Sequence, residues 1–215
     1  MNIRKKILTR CGVLLTAVLV LAPTALAAEA EIPYIPQTVP AAQLAPADQR
    51  GKEDWQLLLV NPWHTVPEGY EIKLATLSNG LQVDERIYDD LDDMLSDCRE
   101  AGLNPIVCSA YRTEATQTRL YRNKVARVRA SGVPEDRVEA EAARWVAKPG
   151  TSEHQTGLAL DIVAAGYQIL DEEQEDTAEQ KWLMENSWKY GFILRYPSEK
   201  SDITGIGYEP WHYRY

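Results

Sequence analysis

The sequence predicts an α+β domain, with a small, mainly antiparallel sheet and flanking helices. Three observations carry that expectation. Helical and extended patterns mix along the chain without the regular strand–helix alternation that a parallel sheet requires. The extended runs are short and lie between Gly, Pro and Asn turn signals. The 215 residues, 45% of them hydrophobic, suffice for one core of ordinary size and not for two large domains.

In chain order, residues 1–27 read as an export signal. Arg4, Lys5, Lys6 and Arg10 form a basic head, residues 13–22 an apolar run too short to span a bilayer, and Ala25-Leu26-Ala27 a small-x-small cleavage pattern. Cleavage is expected after Ala27; an uncleaved N-terminal membrane anchor is the alternative. Cys11 precedes the apolar run and is badly placed for lipoprotein processing. Residues 28–53 carry Pro33, Pro36, Pro40 and Pro46 among Ala and Gln and read as a semi-extended tether. The folded domain is expected over 54–215, working outside the cytoplasmic membrane.

Within that domain, strands are expected at 57–60 and 71–77, joined through a turn near 62–69. Ser78-Asn79-Gly80 is a turn signal. Ile87, Leu91, Met94, Leu95 and Cys98 share one face of a helix that Gly102 closes. Residues 105–109 read as a short buried strand. Helices follow over 114–131 and 134–147, split by Gly132 and restarted by Pro134. A strand at 158–163 comes after Gly157. A helix at 177–190 ends at Gly191, and strands at 192–196 and 210–215 close the chain.

The chain has 23 basic and 32 acidic residues, a net charge of −9, and loss of a leader whose charges are all basic makes it more acidic. Sequence-independent nucleic-acid binding is excluded, because it requires excess positive charge. Asp89, Asp90, Asp92 and Asp93 fall on the polar side of their helix with no glycine-containing calcium loop, so they read as a solvated face. Arg119, Arg122, Lys124, Arg127 and Arg129 follow on the next helix and are expected to pair with acidic neighbours. Cys98 and Cys108 would meet an oxidising compartment, and the turn at Gly102 to Pro105 makes them a candidate disulfide; two buried thiols are the alternative.

The chemistry concentrates in His154, Asp161, Glu209 and His212. Zinc favours imidazole nitrogens and carboxylate oxygens, and a catalytic zinc keeps one position open. Only three histidines are present, and His154 and His212 are two of them. Asp161 lies between Leu158, Leu160, Ile162 and Val163, where a carboxylate is costly unless paired or metal-bound. A turn at Gly157 would fold His154 back beside it. Glu209 stands three residues before His212 and places a base next to a ligand. On residue types alone, the pattern fits either a shared metal site or two structural histidines. His64, with no nearby carboxylate, reads as structural or exposed.

Three ordered motifs add a resemblance. Ser152-Glu153-His154-Gln155-Thr156-Gly157-Leu158-Ala159-Leu160-Asp161 resembles the S-x-H-x-x-G-x-A-x-D motif of VanY-type D-alanyl-D-alanine carboxypeptidases. Glu209-Pro210-Trp211-His212-Tyr213-Arg214-Tyr215 resembles their closing E-x-W-H-x-R-Y, and Ser109-Ala110-Tyr111-Arg112, with Gln117 beyond it, their S-x-Y-R segment. The resemblance runs from about Trp55 to Tyr215. It implies the fold shared with L,D-carboxypeptidases, VanX-type dipeptidases and the Hedgehog domain. It also implies one Zn²⁺ per chain, held by His154, Asp161 and His212. Glu209 would be the general base and Arg112 the group facing the substrate carbonyl, with Gln117 and Ser152 holding the terminal residue. The implied substrate is a peptidoglycan stem peptide that loses its C-terminal D-Ala, with no stable protein partner implied. The alternatives are an L,D-carboxypeptidase acting on tetrapeptide stems and a non-catalytic wall-binding module. Glu209 favours the enzyme over the module.

Overall fold

A computed structural model describes residues 55–215; the expected leader at 1–27 and tether at 28–53 lie outside the described residues. The first described segment departs from expectation. In place of a strand at 57–60, Trp55–Leu57 is a 3₁₀ turn and residues 58–60 are irregular. The cause is Arg214, whose Nη2 donates to the carbonyls of Gln56 at 3.1 Å and Leu58 at 2.8 Å, so these acceptors serve a guanidinium and not a neighbouring strand. Leu58 and Val60 are buried all the same.

Strands β1 (Leu74–Thr76) and β2 (Gln82–Asp84) form an antiparallel hairpin around the expected turn. Gly80 adopts positive φ there, and Asn79 Nδ2 anchors the turn to the Val107 carbonyl at 2.9 Å. Helix α1 (Tyr88–Glu100) buries Leu91, Met94, Leu95 and Cys98, and leaves Asp89, Asp92 and Asp93 exposed, as its periodicity requires. Strand β3 is Pro105–Ser109. Helices α2 (Glu114–Ala130) and α3 (Glu135–Ala143) pair over a small cluster of Val128, Val138 and Ala142. The remaining elements are β4 (Ala159–Ala164), α4 (Ala178–Asn186), β5 (Ile193–Leu194), the short α5 (Ser201–Thr204) and β6 (His212–Arg214). No helix among the described residues is long and apolar enough to cross a membrane.

The main sheet has the order β3-β4-β6-β5, with every pair antiparallel. Side chains alternate across a strand, and residues directly opposite on neighbouring strands share a face. Leu160 and Tyr213 are opposite each other and enter the core with Leu158, Ile162, Leu183 and Phe192. Asp161 and His212 are likewise opposite and therefore share the other face. Burial of six consecutive residues in β4 reflects a strand covered on both sides.

The candidate Cys98–Cys108 disulfide is not formed, and of the two buried thiols offered as its alternative only Cys98 is buried; both thiols are free. Val107 pairs with Ile162 and Ser109 with Asp161, which leaves Cys108 as the extra residue of a bulge and exposed. Cys98 lies buried on the core side of α1. The bulge that sends Cys108 outward keeps Ser109 in register with Asp161.

Candidate active site

Two strands and one turn assemble the site. The β4–β6 register sets His212 Nδ1 3.1 Å from Asp161 Oδ1. His154 comes from a 3₁₀ turn, Glu153–Thr156, that stops at Gly157 with φ +72°. Its Nδ1 lies 2.8 Å from the Ala110 carbonyl. A carbonyl only accepts, so Nδ1 carries the proton and the Nε2 lone pair faces Asp161 Oδ2, 3.3 Å away. One donor atom each from His154, Asp161 and His212 lies within 4.8 Å of the others, and all three residues are buried. Two imidazole nitrogens and one carboxylate oxygen suit zinc and leave a coordination position open.

Gly157 is where this turn depends most on its residue type. Any side chain there would occupy a left-handed backbone, and a Cβ would lie 2.9 Å from the backbone nitrogen of Asp84. That nitrogen donates to the Gly157 carbonyl at 3.0 Å, so it cannot easily retreat. Gly157→Ala is expected to cost about 2 kcal/mol or more, from left-handed strain plus the clash. That lowers the melting temperature by roughly 4–8 °C in a domain of this size. An unchanged melting temperature would show that the turn tolerates a side chain.

Arg112 enters from the loop after β3. Its Nη2 donates to Asp161 Oδ2 at 2.7 Å, and Ser109 Oγ accepts from Nε at 2.9 Å and Nη2 at 2.6 Å. Its backbone N–H donates to the His154 carbonyl at 3.1 Å. Glu209 Oε2 lies 3.7 Å from His212 Nδ1. The cleft over these groups holds about 290 Å³ and is lined by Arg112, Ser152, His154, Asp161, Glu209 and His212. Trp145, Tyr196 and Trp211 add walls, and Lys124 and Arg127 form a basic side. Both are accessible, Arg127 exposed and Lys124 half-buried, but of the five cations expected to pair with acidic neighbours only Arg129 does so among the described residues, with Glu135 at 2.7 Å.

The electrostatics separate the site's groups. Burial pushes the Glu209 carboxyl up to about 8, and neighbouring Asp161 adds to the shift against His212, Arg112 and Lys124. Burial and the Arg112 charge lower His154 to about 4. Burial alone would raise Asp161, but His154, His212 and Arg112 outweigh it and hold the carboxyl well below the usual range. Burial opposes a charged His212 too, yet hydrogen bonds to Asp161 and Glu153 lift it to about 9.

Ser152 is buried at the cleft wall. Gln117 is fully buried: Nε2 donates to the Ala147 carbonyl at 2.7 Å, Ala147 lines the cleft, and Oε1 has no partner among the described residues. His64 is exposed against Asn61. Sequence reasoning missed Glu153, which the fold buries directly behind His212, with Oε2 at 3.4 Å from Nε2. Its only signal is a charged residue beside a candidate ligand histidine in a buried turn.

Fold and donor set together define a class: a single-metal peptidase-like centre with a carboxylate and an arginine beside the metal position. The sequence profile of VanY, described as D-alanyl-D-alanine carboxypeptidase, matches residues 80–215. The chain belongs to that family. It is 46% identical over 173 residues to a D-alanyl-D-alanine carboxypeptidase of Enterococcus faecalis (strain ATCC 700802 / V583), covering 80% of this chain and 63% of the relative. The chain thus spans about three fifths of that curated relative's length. Among solved structures, it is similar to a vancomycin-resistance D,D-pentapeptidase VanY in complex with Zn(II). That match has a TM-score of 0.68 and 46% identity, and covers 75% of this chain and 88% of the other. The LD-carboxypeptidase LdcB matches with a TM-score of 0.59 and 35% identity, covering 73% and 74%.

Proposed function

We propose that this protein is an exported, zinc-dependent D-alanyl-D-alanine carboxypeptidase that removes the C-terminal D-Ala of peptidoglycan stem peptides. The observation that carries the reading is the convergence of His154, Asp161 and His212 in one cleft with Glu209 and Arg112. The greater likeness to VanY than to LdcB favours the D,D over the L,D reaction. The basic head and cleavage pattern of residues 1–27 support export, and residues 28–53 the reach of a tether.

His154, Asp161 and His212 would hold the zinc, each offering one donor atom to a common point in the cleft. The metal, when bound, polarises the scissile carbonyl and makes a nucleophilic water available near neutral pH. Glu209 takes the proton from the attacking water and passes it to the amine as the C–N bond breaks, so D-Ala leaves as a neutral amine. Arg112, already oriented by Ser109 and Asp161, stabilises negative charge growing on the carbonyl oxygen. Ser152 hydrogen-bonds the terminal residue, and Gln117 sets the wall beside it through Ala147.

Cleavage is therefore expected from the C-terminus and to require a free carboxylate, which Lys124 and Arg127 also favour on one side of the cleft. Offered to purified protein with zinc, a pentapeptide stem should lose one D-Ala by mass. Amidating that stem's C-terminus leaves polar groups unpaired at about 1–3 kcal/mol each and should slow cleavage roughly 10- to 100-fold. A tetrapeptide stem should be cut more slowly than the pentapeptide. Equal rates on free and amidated stems, or internal bonds cut first, would replace this reading with an endopeptidase.

A further inference from the structure

Behind the metal-facing side of His212 lies a buried carboxylate to which the catalytic reading gives no role. Glu153 is 2% exposed and immediately precedes the ligand His154. Its Oε1 accepts from Arg195 Nε at 2.8 Å and from Arg214 Nη1 at 3.2 Å, while its Oε2 faces His212 Nε2 at 3.4 Å. Arg214 stands two residues after His212 on β6, so alternation puts both on the same face of the sheet. Arg214 is itself fixed by the carbonyls of Gln56 and Leu58. The carboxylate is thus clamped from two sides, with one oxygen directed at a single imidazole nitrogen. The opposite nitrogen, Nδ1, faces Asp161 and Glu209.

The geometry points to Glu153 as a positioning residue that holds His212 with its proton on Nε2 and so leaves Nδ1 as the metal donor. An ionised carboxylate can only accept, so the nitrogen facing it must carry hydrogen. The ring then has one lone pair left, aimed at the cleft. Without Glu153, Asp161 facing Nδ1 would draw the proton to that nitrogen, the tautomer that leaves no donor toward the cleft. The carboxylate also strengthens the donor, because a hydrogen-bonded Nε2–H makes Nδ1 more basic. His154 is fixed in the opposite sense, through the Ala110 carbonyl on Nδ1, so the two ligand rings are expected to coordinate through different nitrogens.

This inference rests on the zinc reading above. Two measurements on the full-length protein test it, neither of them activity. In the ¹⁵N-histidine-labelled, zinc-loaded wild type, NMR should show His212 with metal on Nδ1 and a protected hydrogen on Nε2, and His154 with the reverse. Glu153→Gln should lower zinc affinity by roughly 10- to 100-fold in competition with a chelator, the range seen when such partners of a ligand histidine are lost. The melting temperature of the metal-free variant reports structural damage separately. A variant that melts lower yet binds zinc as tightly as the wild type would leave Glu153 purely structural and overturn the inference. Coordination through His212 Nε2 would overturn it without any variant, should Glu153→Gln fail to fold. Wild-type protein without stoichiometric zinc would overturn the zinc reading itself, an outcome distinct from stoichiometric zinc on the wrong nitrogen.

Discussion

His212→Ala is expected to abolish peptidase activity and to empty the protein of zinc after dialysis against a weak chelator. Structural zinc in zinc-finger peptides is bound by about 10–16 kcal/mol across four ligands, which is on the order of 3 kcal/mol per ligand. Losing one of three ligands here should weaken binding by about 10²-fold or more. The effect exceeds a simple count of ligands, because His212 also orders its neighbours. Its ring packs edge-on to His154, with centroids 5.0 Å apart, and lies 4.7 Å from the Tyr196 ring. Removing it takes a hydrogen-bond partner from Asp161 and leaves Glu153 paired with arginines alone. Metal content by mass spectrometry and turnover on a pentapeptide stem check the expectation, with circular dichroism to establish folding. Full zinc retention with unchanged turnover would remove His212 from the ligand set.

The candidate metal donors are readable from sequence where a residue is anomalous in its local setting. Asp161 interrupts an apolar run, and nothing but pairing or a metal explains a carboxylate there. Gly157 announces the turn that returns His154 to it. Glu153 has no comparable local signature. Its partners Arg195 and Arg214 are 42 and 61 residues away, so only the closed fold brings the three together. The bulge at Cys108 is equally silent, because a strand pattern fixes alternation but not the one extra residue that sets Ser109 opposite Asp161.

Where secondary structure departs from the local pattern, a tertiary partner accounts for the change. The run Leu57-Leu58-Leu59-Val60 has strand character, yet Arg214 takes the Leu58 carbonyl and that of Gln56 just before the run. The pattern over 134–147 continues past Ala143, but the Arg144 carbonyl accepts from Gly207 at 2.7 Å, and Trp145 packs where a Gly207 side chain would stand. That break turns Trp145, Val146 and Ala147 into cleft wall. In this second case irregularity serves the site, because the residues that leave the helix are the ones that wall the cleft.

Glu209→Gln separates ligand from base, and it is the second large effect expected. The substitution keeps the shape of the side chain and removes its capacity to accept a proton. Glu209 lies outside the cluster of His154, Asp161 and His212, so zinc should stay bound at one per chain. Turnover should fall by about 10²- to 10⁴-fold, the contribution of a positioned general base. The structure argues for this group over the other carboxylates near the metal. Asp161 is held ionised by two histidines and an arginine, and Glu153 is held near 2 because His212, Arg214 and Arg195 outweigh its burial; neither gives up or takes a proton readily. Glu209 alone lines the cleft with a carboxyl that burial has made more basic than an ordinary glutamate. Substrate affinity should change little, because binding the stem peptide does not require the proton transfer. The decisive comparison is therefore single-turnover cleavage in wild type and variant at equal zinc content. A near-normal rate would take the base role from Glu209, whereas a loss of zinc together with rate would make it a fourth ligand.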